Sequence, residues 1–140
     1  MTRRLLLLLA LACMIPPALA LVRGSTELGG KFLSGGITPD EIATINDEKG
    51  GYPLAILTAS KGSGAFLADV HVRITDQNAA PVLDTVMDGP WLLVELPAGQ
   101  YRIEATLGTA VQKSSVALKV GEHRQAAFYF DTHDEVEPAK

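Results

Sequence analysis

Between Asp88 and Ala105 the chain reads Asp-Gly-Pro-Trp-Leu-Leu-Val-Glu-Leu-Pro-Ala-Gly-Gln-Tyr-Arg-Ile-Glu-Ala, two alternating runs around a Pro-Ala-Gly turn. Leu92, Val94 and Leu96 share one parity before the turn, opposite Trp91, Leu93 and Glu95. After it Tyr101, Ile103 and Ala105 do, opposite Arg102 and Glu104. A period of two sends successive side chains to opposite faces, so both runs are expected to be half-buried antiparallel strands. Pro97 sets φ for a turn and Gly99 can take positive φ. Tyr101 can bury its ring while its hydroxyl bonds loop backbone. The segment is expected to act as a structural corner, serving folding rather than chemistry.

The same alternation recurs along the chain. Leu54–Ala59 precedes a Ser-Lys-Gly-Ser-Gly loop. Ala68–Thr75 places Val70, Val72 and Ile74 on one face and His71 and Arg73 on the other. Asp76-Gln-Asn-Ala-Ala-Pro81 is turn chemistry, because Asx side chains and proline favour chain reversal. Val82–Met87, Trp91–Leu96, Gln100–Leu107, Val111–Val120 and Gln125–Phe130 complete seven strands. No helix of useful length lies between them, so parallel crossovers are not expected. The fold class that follows is all-β, a seven-stranded antiparallel Greek-key-type β-sandwich over residues 52–130, preceded by a short helix.

Residues 21–51 are polar and Gly-rich and read as a flexible lead-in. One element interrupts it. Thr38-Pro39-Asp40-Glu41 offers a hydroxyl at the N-cap, proline at the first helical position and a carboxylate that reaches back to the cap, so a helix is expected over about residues 39–48. Ile37 and Ile42 are candidates for a hydrophobic staple, and Ile42 with Ile45 forms a narrow apolar stripe. The acidic tail 131–140 is expected to be disordered.

The first twenty residues carry an address. Thr2-Arg3-Arg4, an apolar run from Leu5 to Ile15, and Ala18-Leu19-Ala20 make a positive, an apolar and a small-x-small region, as in a secretory signal peptide cleaved after Ala20. Two rival readings stand beside it. The apolar run from Leu5 to Val22 is long enough for an uncleaved membrane helix, although Pro16-Pro17 interrupts it. Leu11-Ala12-Cys13 resembles part of a lipobox, which leaves lipidation of Cys13 open. If cleavage follows Ala20, the chain's one cysteine is removed and no disulfide, thiol nucleophile or cysteine metal site remains. Loss of Arg3 and Arg4 leaves 10 basic against 16 acidic residues, a net charge of −6. No Lys/Arg cluster exists to meet phosphate, so nucleic-acid binding is disfavoured, and no membrane span is expected after cleavage.

Three segments together, Ala68-Asp-Val-His-Val-Arg-Ile-Thr-Asp76, Asp88-Gly-Pro-Trp91 and Leu96-Pro-Ala-Gly-Gln-Tyr-Arg-Ile103, resemble the carboxypeptidase regulatory-like family of transthyretin-like β-sandwiches, over about residues 52–130. Leu96, Pro97, Gly99 and Tyr101 match its Leu-Pro-x-Gly-x-Tyr segment. Ser-Gly-Gly-Ile-Thr-Pro-Asp-Glu and Asp-Gly-Pro-Trp also resemble small exported proteins of Gram-negative bacteria. The resemblance implies a fold and a periplasmic or secreted location. Transthyretin-like sandwiches include hydroxyisourate hydrolases, which use His and Arg side chains and a C-terminal Tyr-Arg-Gly-Ser. This chain ends Glu-Pro-Ala-Lys, so that activity is disfavoured.

Reactive side chains are sparse. His71 is expected on an exposed strand face, His123 in a Gly-Glu-His-Arg turn, and His133 in the tail beside Asp131, Asp134 and Glu135, where a terminal segment makes a poor metal site. Ser60, Ser63, Ser114 and Ser115 lack a nucleophile elbow. Gly62-Ser63-Gly64 has no helix after it to form a phosphate loop. No catalytic residue, cofactor or metal is therefore expected. Trp91 is the leading candidate for binding, as an exposed platform for sugar or peptide or as a residue packed on the short helix. The expected function is a non-enzymatic interaction or accessory module of the cell envelope with an envelope protein, peptide or glycan as partner. The alternatives are a carbohydrate- or peptide-binding domain using Trp91 and neighbouring loops and, more distantly, a hydrolase. Val111–Ser115 is an edge strand that could pair with another chain, although its polar residues also discourage pairing.

Overall fold

The computed structural model describes residues 21–132. The expected signal peptide, with Cys13 and Ala20, and the segment from His133 onward lie outside the described residues. Nine strands among them form two sheets. The first runs β1 (Val22–Ser25), β2 (Lys31–Gly35), β6 (Trp91–Val94), β3 (Leu54–Ser60), β9 (Arg124–Phe130). The second runs β5 (Pro81–Val86), β4 (His71–Asp76), β7 (Gly99–Leu107), β8 (Ala110–Leu118). Between them Ile56, Leu92, Val94, Phe128 and Phe130 of the first sheet share one buried core with Val72, Ile74, Ile103, Ala105 and Leu118 of the second. Two sheets face to face over interleaved apolar side chains make an all-β sandwich.

The strand count is nine rather than the expected seven, because the Gly-rich lead-in enters the sheet. Phe32 pairs with Val94 and Gly35 with Trp91 along β2 and β6, and β1 folds back on β2. Leu33 is fully buried. A strand this short, with glycines around it, has no local signature that separates it from a loop. What holds it in place is hydrogen bonding to β6, far away in sequence.

The expectation of antiparallel pairing throughout also fails at one place. β3 and β9 run parallel, in unbroken register from Leu54 opposite Arg124 to Ser60 opposite Phe130. Parallel neighbours need a long crossover, usually a helix. Here the strands of the second sheet lie between them in sequence, so no helix was needed.

The proline turn at residue 97 is a corner between sheets. The chain leaves β6 in the first sheet and enters β7 in the second, and Tyr101 fastens the bend by donating its hydroxyl to the Pro97 carbonyl at 2.7 Å. The strand expected from Ala68 begins only at His71, because Asp69 adopts φ 62°. Aspartate tolerates that left-handed region better than most residues.

Helix α1 (Pro39–Glu48) starts as its sequence requires. Thr38 Oγ1 accepts from the Glu41 N–H at 3.2 Å, and Glu41 Oε2 accepts from the Thr38 N–H at 3.2 Å. Ile37 stays 53% exposed, so the helix is anchored by the fully buried Ile45 rather than by a staple. Ile45 packs with Leu33, Tyr52, Ala55 and Leu93 as a second cluster on the outer face of the first sheet. Leu93, whose parity placed it opposite the core, is therefore as buried as Leu92.

Candidate binding face

Helix α1 covers only part of that outer face. Register determines what remains. On β3, residues Ala55, Leu57 and Ala59 point outward while Ile56, Thr58 and Ser60 are buried inward. On β9 the matching outward residues are Gln125, Ala127 and Tyr129, with Phe128 and Phe130 inward. Ala55 lies under the helix cluster. Beyond the helix, Leu57 pairs with Trp91 on one side and Ala127 on the other. One step further, Ala59 lies between Phe66 and Tyr129.

Three aromatic side chains thus border a floor of Leu57, Ala59 and Ala127. Phe66 is 58% exposed, Tyr129 49% exposed and Trp91 half-buried. With strands about 4.8 Å apart, Phe66 and Tyr129 are spaced about 10 Å across the small Ala59. Phe66 reaches this position because the loop after β3 is a tight turn. The Ser60 N–H donates to the Ala65 carbonyl at 2.7 Å, and the Gly64 N–H donates to the Ser60 carbonyl at 3.0 Å. The Ser-Lys-Gly-Ser-Gly stretch returns the chain alongside β3.

Trp91 sits at the boundary between this face and the helix. It flanks the Leu33 and Ile45 cluster, and Lys49 Nζ lies 5.0 Å from its ring centroid. Lys31 Nζ lies 5.3 Å from the Tyr52 ring. Cations at this distance are drawn to the ring quadrupole. Trp91 is therefore both packed on the helix side and partly open. Its backbone fit depends on two glycines. A Cβ on Gly36, at φ 101°, would come within 2.9 Å of Trp91 Cδ1, and one on Gly89 would meet the Gly35 backbone at 2.5 Å. The Asp-Gly-Pro-Trp phrase is thereby explained by close chain approach, with Ser34 Oγ accepting from the Asp88 N–H at 2.9 Å.

Tyr52 packs beneath the helix with its hydroxyl buried and without a hydrogen-bond partner among the described residues. Burial pushes its pKa above the ordinary 10.0, with a further upward push from the Glu48 carboxylate. Glu48 itself is held below its ordinary value, chiefly by its hydrogen bonds with Arg23. That pair is bidentate at 2.9 and 2.6 Å and ties β1 to the end of α1.

The histidines and serines flagged in the sequence do not converge. His71 is half-buried at the start of β4 rather than fully exposed, and pairs with Asp84. His123 Nδ1 lies 2.8 Å from the Tyr52 carbonyl oxygen and fixes the entry to β9. Ser60 Oγ bonds Thr132 Oγ1 at 2.5 Å, and Ser63 Oγ accepts from the Ala65 N–H at 3.2 Å. Ser114 and Ser115 lie on β8, where a cleft of about 300 Å³ opens toward Arg124 and Ala126. Among the described residues no three His, Cys, Asp or Glu side chains are grouped to hold a metal. His133 lies outside the described residues.

Phe66 and Tyr129 were not singled out from the sequence. Tyr129 was legible, since it alternates with two inward phenylalanines. Phe66 was not, because its place depends on a bridge to Ala59. In comparisons with known proteins the chain matches no family model, no curated protein and no solved structure.

Proposed function

We propose that this chain is an exported, non-enzymatic interaction module of the cell envelope, and that its partner contacts the uncovered outer face of the first sheet. The observation that carries this reading is the convergence of Trp91, Phe66 and Tyr129 on one apolar surface that α1 leaves open. Contiguous apolar surface rimmed by polar groups marks interaction sites, and Lys49 and Lys61 stand at its margins. The Arg3-Arg4 start, apolar run and Ala18-Leu19-Ala20 support export to the periplasm. The resemblance of residues 52–130 to the carboxypeptidase regulatory-like family supports a transthyretin-like, Greek-key type of sandwich and an accessory rather than catalytic role.

Affinity capture from periplasmic extract, comparing the natural protein with a Phe66→Ser/Tyr129→Ser variant, tests the reading. Loss of the captured partner from a folded variant is the expected result. Equal capture by both proteins removes the face from consideration.

The partial exposure of Trp91 favours a second reading, a carbohydrate ligand stacked on the aromatic rim. A glycan array would show binding that Trp91→Ala abolishes, and a blank array with a retained protein partner returns the choice to the first reading.

A further inference from the structure

The two sheets end in four edges, β1, β5, β8 and β9. An edge strand presents unpaired N–H and C=O groups to any other chain, and natural edges are blunted by shortness, proline, charge or bulges. Three of these four carry such a device. β1 has four residues. β5 begins at Pro81, its register with β4 shifts between Ile74 and Thr75, and its Val82 carbonyl already accepts from the Glu27 N–H at 2.9 Å. β8 carries Lys113 among Gln112, Ser114 and Ser115. β9 is charged only at its first residue, Arg124; the six that follow, Gln125-Ala-Ala-Phe-Tyr-Phe130, lack charge, proline and glycine and keep unbroken register with β3. Uncharged aromatic segments of this kind pair readily with other strands when exposed.

The hydrogen-bond pattern identifies which groups are on offer. The Arg124 N–H donates to the Pro53 carbonyl at 2.8 Å, and the Lys61 N–H donates to the Phe130 carbonyl at 2.7 Å. Even-numbered residues of β9 therefore bond β3, and Gln125, Ala127 and Tyr129 turn their N–H and C=O groups to the open side. The Gln112 side-chain amide donates to the Tyr129 carbonyl. Gln112 comes from β8, whose residues 114–117 face Arg124–Ala126 across a cleft, so pairing of β9 with another chain exchanges this one contact for the new ladder.

We propose that β9 is a dimerisation edge, on which two copies of this protein pair antiparallel about a two-fold axis at Ala127 and join their first sheets into one. The edge is complementary to itself, as a two-fold interface requires. With Ala127 opposite its own copy, Gln125 falls opposite Tyr129 of the second copy, and all three odd-numbered residues form hydrogen-bonded pairs. The small Ala127 side chain lies at the axis, where bulk would crowd. At the start of the strand Arg124 already pairs with Glu122 of its own chain at 3.6 Å, so hydrogen bonding and register rather than charge set the direction. The pairing also makes the aromatic faces of the two copies continuous across the axis, although it stands whether or not that face binds a ligand.

The experiment is sedimentation velocity and amide hydrogen exchange on the protein purified after expression of the full chain, beside its Ala127→Pro variant. The Ala127 N–H faces the open edge, so proline removes no bond to β3, and proline is tolerated at such positions. The natural protein is expected to sediment as a dimer, with slow exchange at Gln125, Ala127 and Tyr129. The variant is expected to keep its fold, sediment as a monomer and exchange quickly at Gln125 and Tyr129. A natural protein that stays monomeric up to about 100 μM with fast exchange at the three amides overturns the proposal. So does a folded Ala127→Pro variant that remains dimeric. If proline prevents folding, the exchange pattern of the natural protein decides alone.

Discussion

Two tyrosines separate a hydrogen bond that stabilises from one that is missing. Tyr101 is buried to 6% exposure and its hydroxyl donates to the Pro97 carbonyl, so Tyr101→Phe keeps the ring and loses the bond. A single neutral hydrogen bond contributes about 1 kcal/mol net, and thermal melts of the variant should show a loss of that size. Tyr52 is buried to 3% exposure with no partner for its hydroxyl among the described residues. Removing an unsatisfied buried donor relieves a desolvation cost, so Tyr52→Phe should leave Tm unchanged or raise it. Thr38→Ala deletes the capping-box acceptor and should cost about 1 kcal/mol, read as a lower Tm. The Tyr101 contact and the Thr38 cap were both legible in the sequence, since each is a local bond within four residues. The orphaned Tyr52 hydroxyl was not, because its surroundings come from β2, α1 and β6.

At the scale of elements, the lead-in shows which effect wins. The Arg23–Glu48 pair is well formed but exposed, with side chains 54% and 31% accessible, and screened pairs of this kind contribute at most about 1 kcal/mol. Leu33 on the neighbouring strand is fully buried against Ile45 and Leu93, and truncating such a side chain costs about 2–5 kcal/mol. Leu33→Ala should therefore lower chemical-denaturation stability several times more than Arg23→Ala. A lead-in that only tethered the sandwich would show neither loss. Within residues 21–51 the expected helix is present, but the flexible reading fails at β1 and β2, because two adjacent apolar residues, Phe32 and Leu33, in a five-residue strand show no alternation to distinguish sheet from loop. The alternation of β7 was clear because nine residues repeat it.

For the molecule as a whole, burial of Tyr52 and Tyr101 sets an alkaline limit. Both pKa values are raised above 10.0, with burial the largest cause in each case. The folded state then retains protons that the unfolded chain releases. The contribution is complete below about pH 10 and is lost as pH rises through the raised values. Melts between pH 8 and about pH 11 should show Tm falling above pH 10, and the fall should be shallower in a Tyr52→Phe/Tyr101→Phe variant. Equal slopes would assign the alkaline loss to other groups.

The amino-acid sequence alone determined the period-two strands of the sandwich, the capped helix at Pro39–Glu48 and the tyrosine corner. Each is encoded by neighbours within a few residues, where steric preference and local hydrogen bonds act. Tertiary structure alone decided that the Gly-rich lead-in supplies two strands, that β3 and β9 run parallel, and that Leu93 is buried on the face opposite the core. It also decided that Phe66, Trp91 and Tyr129 meet. Those outcomes depend on which strands become neighbours, and that choice is made by burying side chains against partners distant in the chain, a quantity no local pattern contains.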